Sequence, residues 1–163
     1  MLTARPAGPE DRAALDRILD AVWGGPYVAG RDTLFDLTTL PSLIAVDGDT
    51  VIGTLQYAID GDAVEVVAIG AVPRTRGAGT VLLDAAAALG RAQGLARLWL
   101  VTTNDNLDAL RFYQRRGMRM VSVDRGAVDR ARLLKPGIPL VGSYGIELHD
   151  EIRMEMSLGA ARH

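Results

Sequence analysis

The sequence predicts an α/β fold with a central mixed sheet, antiparallel at first and then parallel. Three apolar runs between residues 42 and 72 are separated only by tight turns, which indicates an antiparallel meander. From residue 79 onwards helical and strand patterns alternate, which is typical of a partly parallel sheet. A chain of 163 residues is about one domain. We therefore expect a single domain, 1–163, with about six to seven strands flanked by about four helices.

The N-terminal segment predicts a strand, a helix and a break. Residues 2–5 are strand-like, and the strand should end at Pro6. The next segment has the i, i+3, i+4, i+7 spacing of an amphipathic helix, at Leu15, Ile18, Leu19 and Val22. We interpret residues 24–30, GGPYVAG, as the break, and we predict a shorter helix over residues 32–40.

The meander comprises residues 42–46, 50–59 and 63–72, and a DGD tripeptide separates each strand from the next. These short connections leave no room for a crossover helix. Consecutive strands should therefore be antiparallel neighbours.

The second half predicts alternating elements. Residues 79–93 have helix-forming composition, with Gly94 suited to the C-terminal stop, and LARLWLVTT is a strand. A second helix, NLDALRFYQRRG, and the strand MRMVSV follow. VDRARLL could form about two helical turns within an otherwise loop-like region, 125–145, before the final strand EIRMEMSL.

Composition excludes several functional classes. The net charge of −2 and the pI near 5.6 argue against a nucleic-acid-binding protein. With no cysteine, the chain can form neither a disulfide framework nor a thiolate metal site, and His149 and His163 are too few and too far apart to suggest zinc. No window approaches 18 uninterrupted apolar residues, so we expect no membrane span and a cytoplasmic location.

The stretch PRTRGAGT, residues 73–80, joins an apolar run to a helical one. Glycines at such a turn let backbone N–H groups point into the bend, and the following helix contributes its positive end, so the loop could hold a phosphate. A nucleoside-triphosphate loop would need a lysine, and a dinucleotide loop would need a third glycine; neither is present. Two interpretations stay open, a plain structural turn and an R-x-x-G-x-G loop formed by Arg74, Gly77 and Gly79.

A second motif, NLDALRFYQRRGM, lies one helix and one strand further along. It has the form N-x-x-A-x-x-F-Y-x-x-x-G-M, from Asn106 to Met118. With the two motifs in this order, residues 40–124 resemble the GNAT superfamily of acyl-CoA-dependent N-acyltransferases. The region 125–145 is longer than in the simplest members, which leaves the acceptor open.

The resemblance implies a site for acetyl-CoA as co-substrate. Amides of the glycine loop and the next helix's first turn would hold the pyrophosphate. The end of the preceding strand would bind the pantetheine arm, with a backbone amide there as oxyanion donor. The corresponding residues are Ala71, Val72, Arg74, Arg76, Gly77, Ala78, Gly79 and Thr80.

The resemblance also implies catalytic residues. Tyr113 lies seven residues after Asn106, on the same helical face, and would protonate the departing CoA thiolate. The alternative is a Tyr113 that only packs in the core, and Asn106 either contacts the cofactor or caps the helix. Glu65 would be the base, directly or through water, unless it is merely an exposed polar residue of a half-buried strand. His149 is a weaker candidate base, since a solvated loop histidine is the simpler interpretation.

The predicted function is acetyl transfer to a primary amine of a small-molecule acceptor, by direct attack and without a metal. A non-catalytic acyl-CoA-binding regulatory module and transfer to a protein N-terminus are the alternatives. The resemblance also makes a homodimer possible.

Overall fold

The structure is a computed structural model that describes residues 1–72 and 77–159. These residues form nine strands and four α-helices. The strands are β1 (Leu2–Pro6), β2 (Tyr27–Gly30), β3 (Thr33–Asp36), β4 (Ser42–Asp47), β5 (Thr50–Asp60), β6 (Ala63–Ala71), β7 (Arg97–Thr103), β8 (Arg119–Asp124) and β9 (Glu151–Ser157). The helices are α1 (Arg12–Trp23), α2 (Ala78–Ala92), α3 (Leu107–Arg115) and α4 (Ala127–Leu134).

Seven of the strands in the described ranges form one mixed sheet, in the order β1-β4-β5-β6-β7-β9-β8. The pairs β1–β4, β4–β5, β5–β6 and β8–β9 are antiparallel. The predicted fold class, the number of sheet strands and the four helices are therefore confirmed.

By its internal contacts the chain divides into two compact units. The first unit comprises Met1–Tyr27, Asp36–Leu98 and Ser157–His163, and the second comprises Val28–Phe35 and Trp99–Met156. That the whole chain is one domain stays a prediction.

Aliphatic packing organises the first unit. In the meander Leu55 lies opposite Leu43 on one side and Ile69 on the other, and Leu55 is fully buried. Helix α1 approaches β6 so closely that a Cβ added to Gly70 would lie 2.8 Å from Cγ1 of Val22. The absence of a side chain at Gly70 thus lets the amphipathic face of α1 pack directly on the sheet.

The prediction of a helix over residues 32–40 is wrong. This segment contains β3, which pairs with β2 in a separate hairpin, and then a 3-10 turn, Leu37–Thr39. The connecting residues Arg31 and Asp32 have φ angles of 51° and 58°. Two consecutive left-handed residues suit the twist of a tight hairpin, and nothing in the helical composition of the segment reveals them.

The hairpin is tied to the rest of the second unit. The Arg31 amide donates to Oε1 of Glu151 over 3.1 Å, and the Arg130 guanidinium pairs with Asp32. The guanidiniums of Arg31 and Arg153 lie over the buried Trp99 ring, at 4.7 and 3.8 Å from its centroid. These long-range contacts favour the hairpin over a local helix.

No helix within the described ranges is long and apolar enough to span a membrane.

Candidate active site

In the first unit, helix α2 begins directly after the glycine loop. The Val81 amide donates to the Gly77 carbonyl over 3.0 Å and closes the first turn. The N–H groups of Ala78, Gly79 and Thr80 precede this bond, so they have no i−4 acceptor within the helix. They form a donor set at the positive end of a 15-residue helix.

The conformation of Gly77 favours glycine. Its φ of +99° lies in the region that L side chains rarely adopt, and an added Cβ would lie 3.2 Å from Cδ2 of Leu2. The predicted loop residues Arg74 and Arg76 lie outside the described residues.

At the end of β6 the two predicted backbone donors differ. The Val72 amide donates to the Ile52 carbonyl over 2.8 Å, so the sheet already uses it. Successive N–H groups of a strand point to opposite edges, and the Ala71 N–H therefore points away from β5. Of the two residues, Ala71 and not Val72 has an amide that points away from the meander. The prediction that offered both residues as oxyanion donors is corrected on this point.

Glu65 is also in the first unit, on β6 opposite Ala58. Only 6% of the residue is exposed, so the interpretation as an exposed polar side chain is wrong. Glu65 and Ala71 are six residues apart, roughly 20 Å along an extended strand.

In the second unit, Asn106 is the N-cap of α3. Its Oδ1 accepts from the Ala109 amide over 3.2 Å, so capping, one of the two predicted roles, is confirmed. Cofactor contact by Asn106 stays a prediction.

Tyr113 lies on the buried face of α3, with 7% of the residue exposed. Its ring meets Phe112 edge-on, with centroids 5.4 Å apart. Burial raises the pKa of Tyr113 to about 12, and its hydroxyl forms no hydrogen bond with another described residue. The phenol is therefore protonated at neutral pH and its proton is not already donated within this part of the chain.

His149 forms a dyad with its neighbour Asp150. Its Nδ1 lies 2.7 Å from Oδ2 of Asp150, whose other oxygen accepts from the Gly126 amide over 2.9 Å. The Gly126 bond, and then the His149 contact, hold the pKa of Asp150 below its usual value. With 44% of its side chain exposed, His149 is accessible, but it is more ordered than a solvated loop histidine.

The turn before α3 holds this dyad in place. Oδ1 of Asn104 accepts from the backbone amides of His149 and Asp150, each over 3.0 Å. The next residue, Asp105, is buried and accepts from the Ser143 amide over 2.8 Å. Two adjacent side chains thus attach the irregular segment 142–150 to the start of α3.

An open groove of about 890 Å³ lies within the second unit, beside α4 and the segment 140–150. Its lining includes His149, Glu147 and the apolar Leu140 and Val141.

The model of the acetyltransferase (GNAT) family matches residues 13–118. This range is more than half of the chain and includes both sequence motifs. The chain belongs to the GNAT acetyltransferase family.

Two sequence relatives match most of the chain. The uncharacterized protein YdhI of Bacillus subtilis (strain 168) is 37% identical over 131 residues, which are 80% of this chain and 82% of YdhI. The uncharacterized protein YxbD of the same organism is 33% identical over 137 residues, which are 83% of this chain and 86% of YxbD.

Solved structures share the GNAT fold. An IAA acetyltransferase from Bacillus cereus ATCC 14579 superposes with a TM-score of 0.74 at 20% identity, over 96% of this chain and 99% of that one. A Bacillus subtilis acetyltransferase in complex with CoA gives the same score at 19% identity and the same coverage. A GNAT acetyltransferase from Elizabethkingia anophelis with acetyl-CoA bound scores 0.66 at 19% identity, over 96% and 97% of the two chains.

Sequence reasoning missed several polar residues of this GNAT protein. Asn104 and Asp105 went unnoticed, although their position just before a helix N-cap is a recognisable signal for side-chain hydrogen bonding. Glu151 was missed as well: it is 5% exposed, and burial raises its pKa. A lone acidic residue at the start of an alternating strand carries no sequence signal of burial.

Proposed function

We propose that this GNAT protein is an N-acetyltransferase that moves acetyl from acetyl-CoA to a primary amine of a small-molecule acceptor. The amine attacks the thioester directly, without a covalent enzyme intermediate. The proposal rests on the first turn of α2, where the backbone N–H groups of residues 78–80 lack helical acceptors. They follow Gly77, whose backbone is left-handed.

Helix α2 would bind the pyrophosphate of acetyl-CoA. The amides of Ala78, Gly79 and Thr80 are suitable donors for phosphate oxygens, and the helix dipole favours negative charge there. Arg74 and Arg76 would add charge to the same loop. The CoA and acetyl-CoA complexes of the structural neighbours support this assignment for a chain of the same fold.

The Ala71 amide would stabilise the oxyanion that forms when the amine attacks. A fixed N–H group in place before the reaction needs no reorganisation as the charge develops. Val72 would not take this role, because its amide is already bonded to Ile52.

Tyr113 would protonate the CoA thiolate as it leaves. Its burial keeps the phenol protonated over the physiological pH range. The pKa of about 12 lies above that of an ordinary thiol, about 8.5, so the proton transfer by itself is uphill. We expect it to be coupled to cleavage of the C–S bond, which drives the step.

Calorimetric titration with acetyl-CoA tests the loop. Gly79→Glu places a carboxylate among the donors of α2 and should weaken binding at least tenfold by repelling the pyrophosphate. An acidic residue in the first turn is favourable for the helix itself, and a thermal melt of the variant checks that it stays folded. Ala88→Glu, on the exposed side of the same helix, is the matched control and should bind normally.

The outcomes separate the alternatives. Failure of the wild-type protein to bind acetyl-CoA would overturn the acyltransferase proposal, and equal binding by Gly79→Glu would remove the loop assignment. Binding without thiol release, with any amine or any peptide bearing a free N-terminus, would favour the non-catalytic regulatory module. Release with the peptides alone would favour a protein N-terminus as acceptor.

A further inference from the structure

The groove of the second unit contains an organised acid–base pair. Nδ1 of His149 is held by Asp150, and Asp150 is itself fixed by the Gly126 amide. A neutral imidazole that donates from Nδ1 keeps its lone pair on Nε2. The Asn104 side chain fixes the backbone of both dyad residues. This arrangement is that of a histidine with a defined tautomer and one nitrogen available to take a proton.

The groove is also lined by Asp129 and by two arginines, Arg125 and Arg132. The charge of Arg125 contributes to the lowered pKa of Asp150. Arg132 pairs with Asp129 at 2.7 Å and also donates to the carbonyl oxygens of Ile138, Pro139 and Leu148. The carboxylate of Glu147 is different, because it forms no hydrogen bond or ion pair with another residue of the described ranges. The groove therefore presents one unpaired carboxylate beside the dyad.

One side of the groove is apolar and accessible. Leu140 is 73% exposed and Val141 is 52% exposed, and both line the groove. Covering these side chains with an apolar group would remove hydrophobic surface from water, which favours binding. Beside Arg125, the groove thus holds an apolar surface, a histidine and a carboxylate that is unpaired among the described residues. The carboxylate and the apolar surface suit a cationic amine that carries an apolar body.

We propose that this groove binds the amine acceptor and that His149 is the base that deprotonates it. The inference rests on the proposed function and specifies its acceptor site. Glu147 would attract the ammonium group, and Leu140 and Val141 would contact the apolar body. Arylalkylamines are the simplest acceptors of this chemistry.

The proposed step is balanced in protons and bonds. Nε2 of His149 takes one proton from the ammonium, and the neutral amine's lone pair forms the C–N bond at the thioester carbonyl. The C–S bond then breaks, and Tyr113 gives its proton to the thiolate. A second proton from the new amide nitrogen returns to Tyr113 through solvent, so one proton is released per turnover.

Accessibility favours His149 over Glu65 as the base that deprotonates the acceptor. Glu65 is buried at 6% exposure, and about 20 Å of extended strand separates it from Ala71, the proposed oxyanion donor. His149 is accessible and lies in a groove large enough for a small amine.

NMR of the histidine imidazole rings in isotope-labelled protein tests whether the groove binds an amine, without requiring turnover. The chain has two histidines, and His149→Gln identifies which signals belong to His149. Tyramine should shift these signals in a saturable manner, whereas ethanolamine, which lacks the apolar body, should have little effect. Leu140→Asn, which removes the apolar contact without adding charge, should weaken tyramine binding about fivefold. Absence of a tyramine shift, or equal shifts by both amines, would overturn the assignment of the groove.

Kinetics with tyramine tests the role of the base. His149→Gln should lower kcat/KM about 100-fold at neutral pH, within the range of general-base catalysis, and leave the Kd of acetyl-CoA unchanged. The loss of kcat/KM in His149→Gln relative to the wild type should become smaller as the pH rises, because more of the amine is then already deprotonated in solution. Asp150→Asn should cause a smaller loss, about tenfold, with the same pH trend.

Two kinetic results would overturn this role: a deficit in His149→Gln that is constant with pH, or a pH-dependent loss found in Glu65→Gln instead. Acetyl-CoA calorimetry decides the proposed function separately. A groove that binds tyramine in a protein that does not bind acetyl-CoA would remove the base assignment but leave the amine site.

Discussion

Different interactions stabilise the interior of each of the two units. In the first unit, regular strands and helices pack around aliphatic side chains such as Ile18, Ile44 and Leu55, which are at most 1% exposed. In the second unit, irregular segments are attached by side-chain bonds to backbone amides. Asn104 and Asp105 hold the segment 142–150, and Glu151 holds the β2–β3 hairpin.

The difference matches the two tasks of the proposed reaction. Acetyl-CoA is the same ligand for every enzyme that uses it, and the proposed pyrophosphate donors are backbone amides on a rigid helix. Acceptors vary, and the groove proposed for them is built from loops whose side chains can change without disturbing a sheet. Five measurements would test this difference between the two units.

The largest expected effect is on the aliphatic core of the first unit. Leu55→Ala should lower the free energy of unfolding by about 2–5 kcal/mol, because it leaves a cavity in a fully buried site. Ile59→Ala on the same strand is the control, since Ile59 is 46% exposed, and it should cost less than about 1 kcal/mol. Urea denaturation measures the free energy of unfolding of both variants. Equal losses would contradict the importance of the buried aliphatic core in the first unit.

Tyr113→Phe should lower kcat about 100-fold, equivalent to about 2.7 kcal/mol of transition-state stabilisation, and leave the Kd of acetyl-CoA unchanged. The variant keeps the buried ring, so folding should be intact. Thiol-release kinetics and calorimetry on the same preparation are the measurements. Unchanged kcat would mean that Tyr113 only packs in the core.

The raised pKa of Tyr113 also predicts a loss of stability at alkaline pH. The phenol is harder to deprotonate in the folded protein than in the unfolded chain, so its contribution is present below pH 10 and is lost between about pH 10 and 12. The loss should reach about 2–3 kcal/mol. Urea midpoints across this range should fall less in Tyr113→Phe than in the wild type; parallel curves would argue against burial of the hydroxyl.

Asp105→Ala should destabilise the second unit by about 1–3 kcal/mol, because it removes the buried carboxylate that accepts from the Ser143 amide. Asp105→Asn keeps one carbonyl oxygen and should cost less. Hydrogen exchange should show faster exchange at residues 142–143 in the alanine variant. Unchanged protection there would mean that other contacts hold the segment.

The smallest effect is expected at the tip of the hairpin. Asp32→Asn breaks an ion pair with Arg130 whose side chains are 56% and 43% exposed, and it should cost less than about 1 kcal/mol. The cost should shrink further in high salt. A larger loss in urea denaturation would show that the charged tip, rather than Glu151, holds the hairpin.

Much of the fold could be predicted from the sequence, because its determinants are local. Apolar residues two apart specify the meander, and apolar residues three and four apart specify α1. The glycine loop and the N-cap Asn106 were also recognisable, since helix ends need particular residues at particular positions. The possible homodimer and the cytoplasmic location stay predictions.

The remaining features depend on contacts between residues that are distant in the sequence. The hairpin at 27–36 depends on Glu151, far along the chain, and the dyad of His149 is held by Asn104, 45 residues before it. The burial of Glu65 and the direction of the Ala71 amide, away from β5, depend on which strands lie beside β6. No spacing rule reaches across such distances, because each contact forms only after the sheet has brought its partners together.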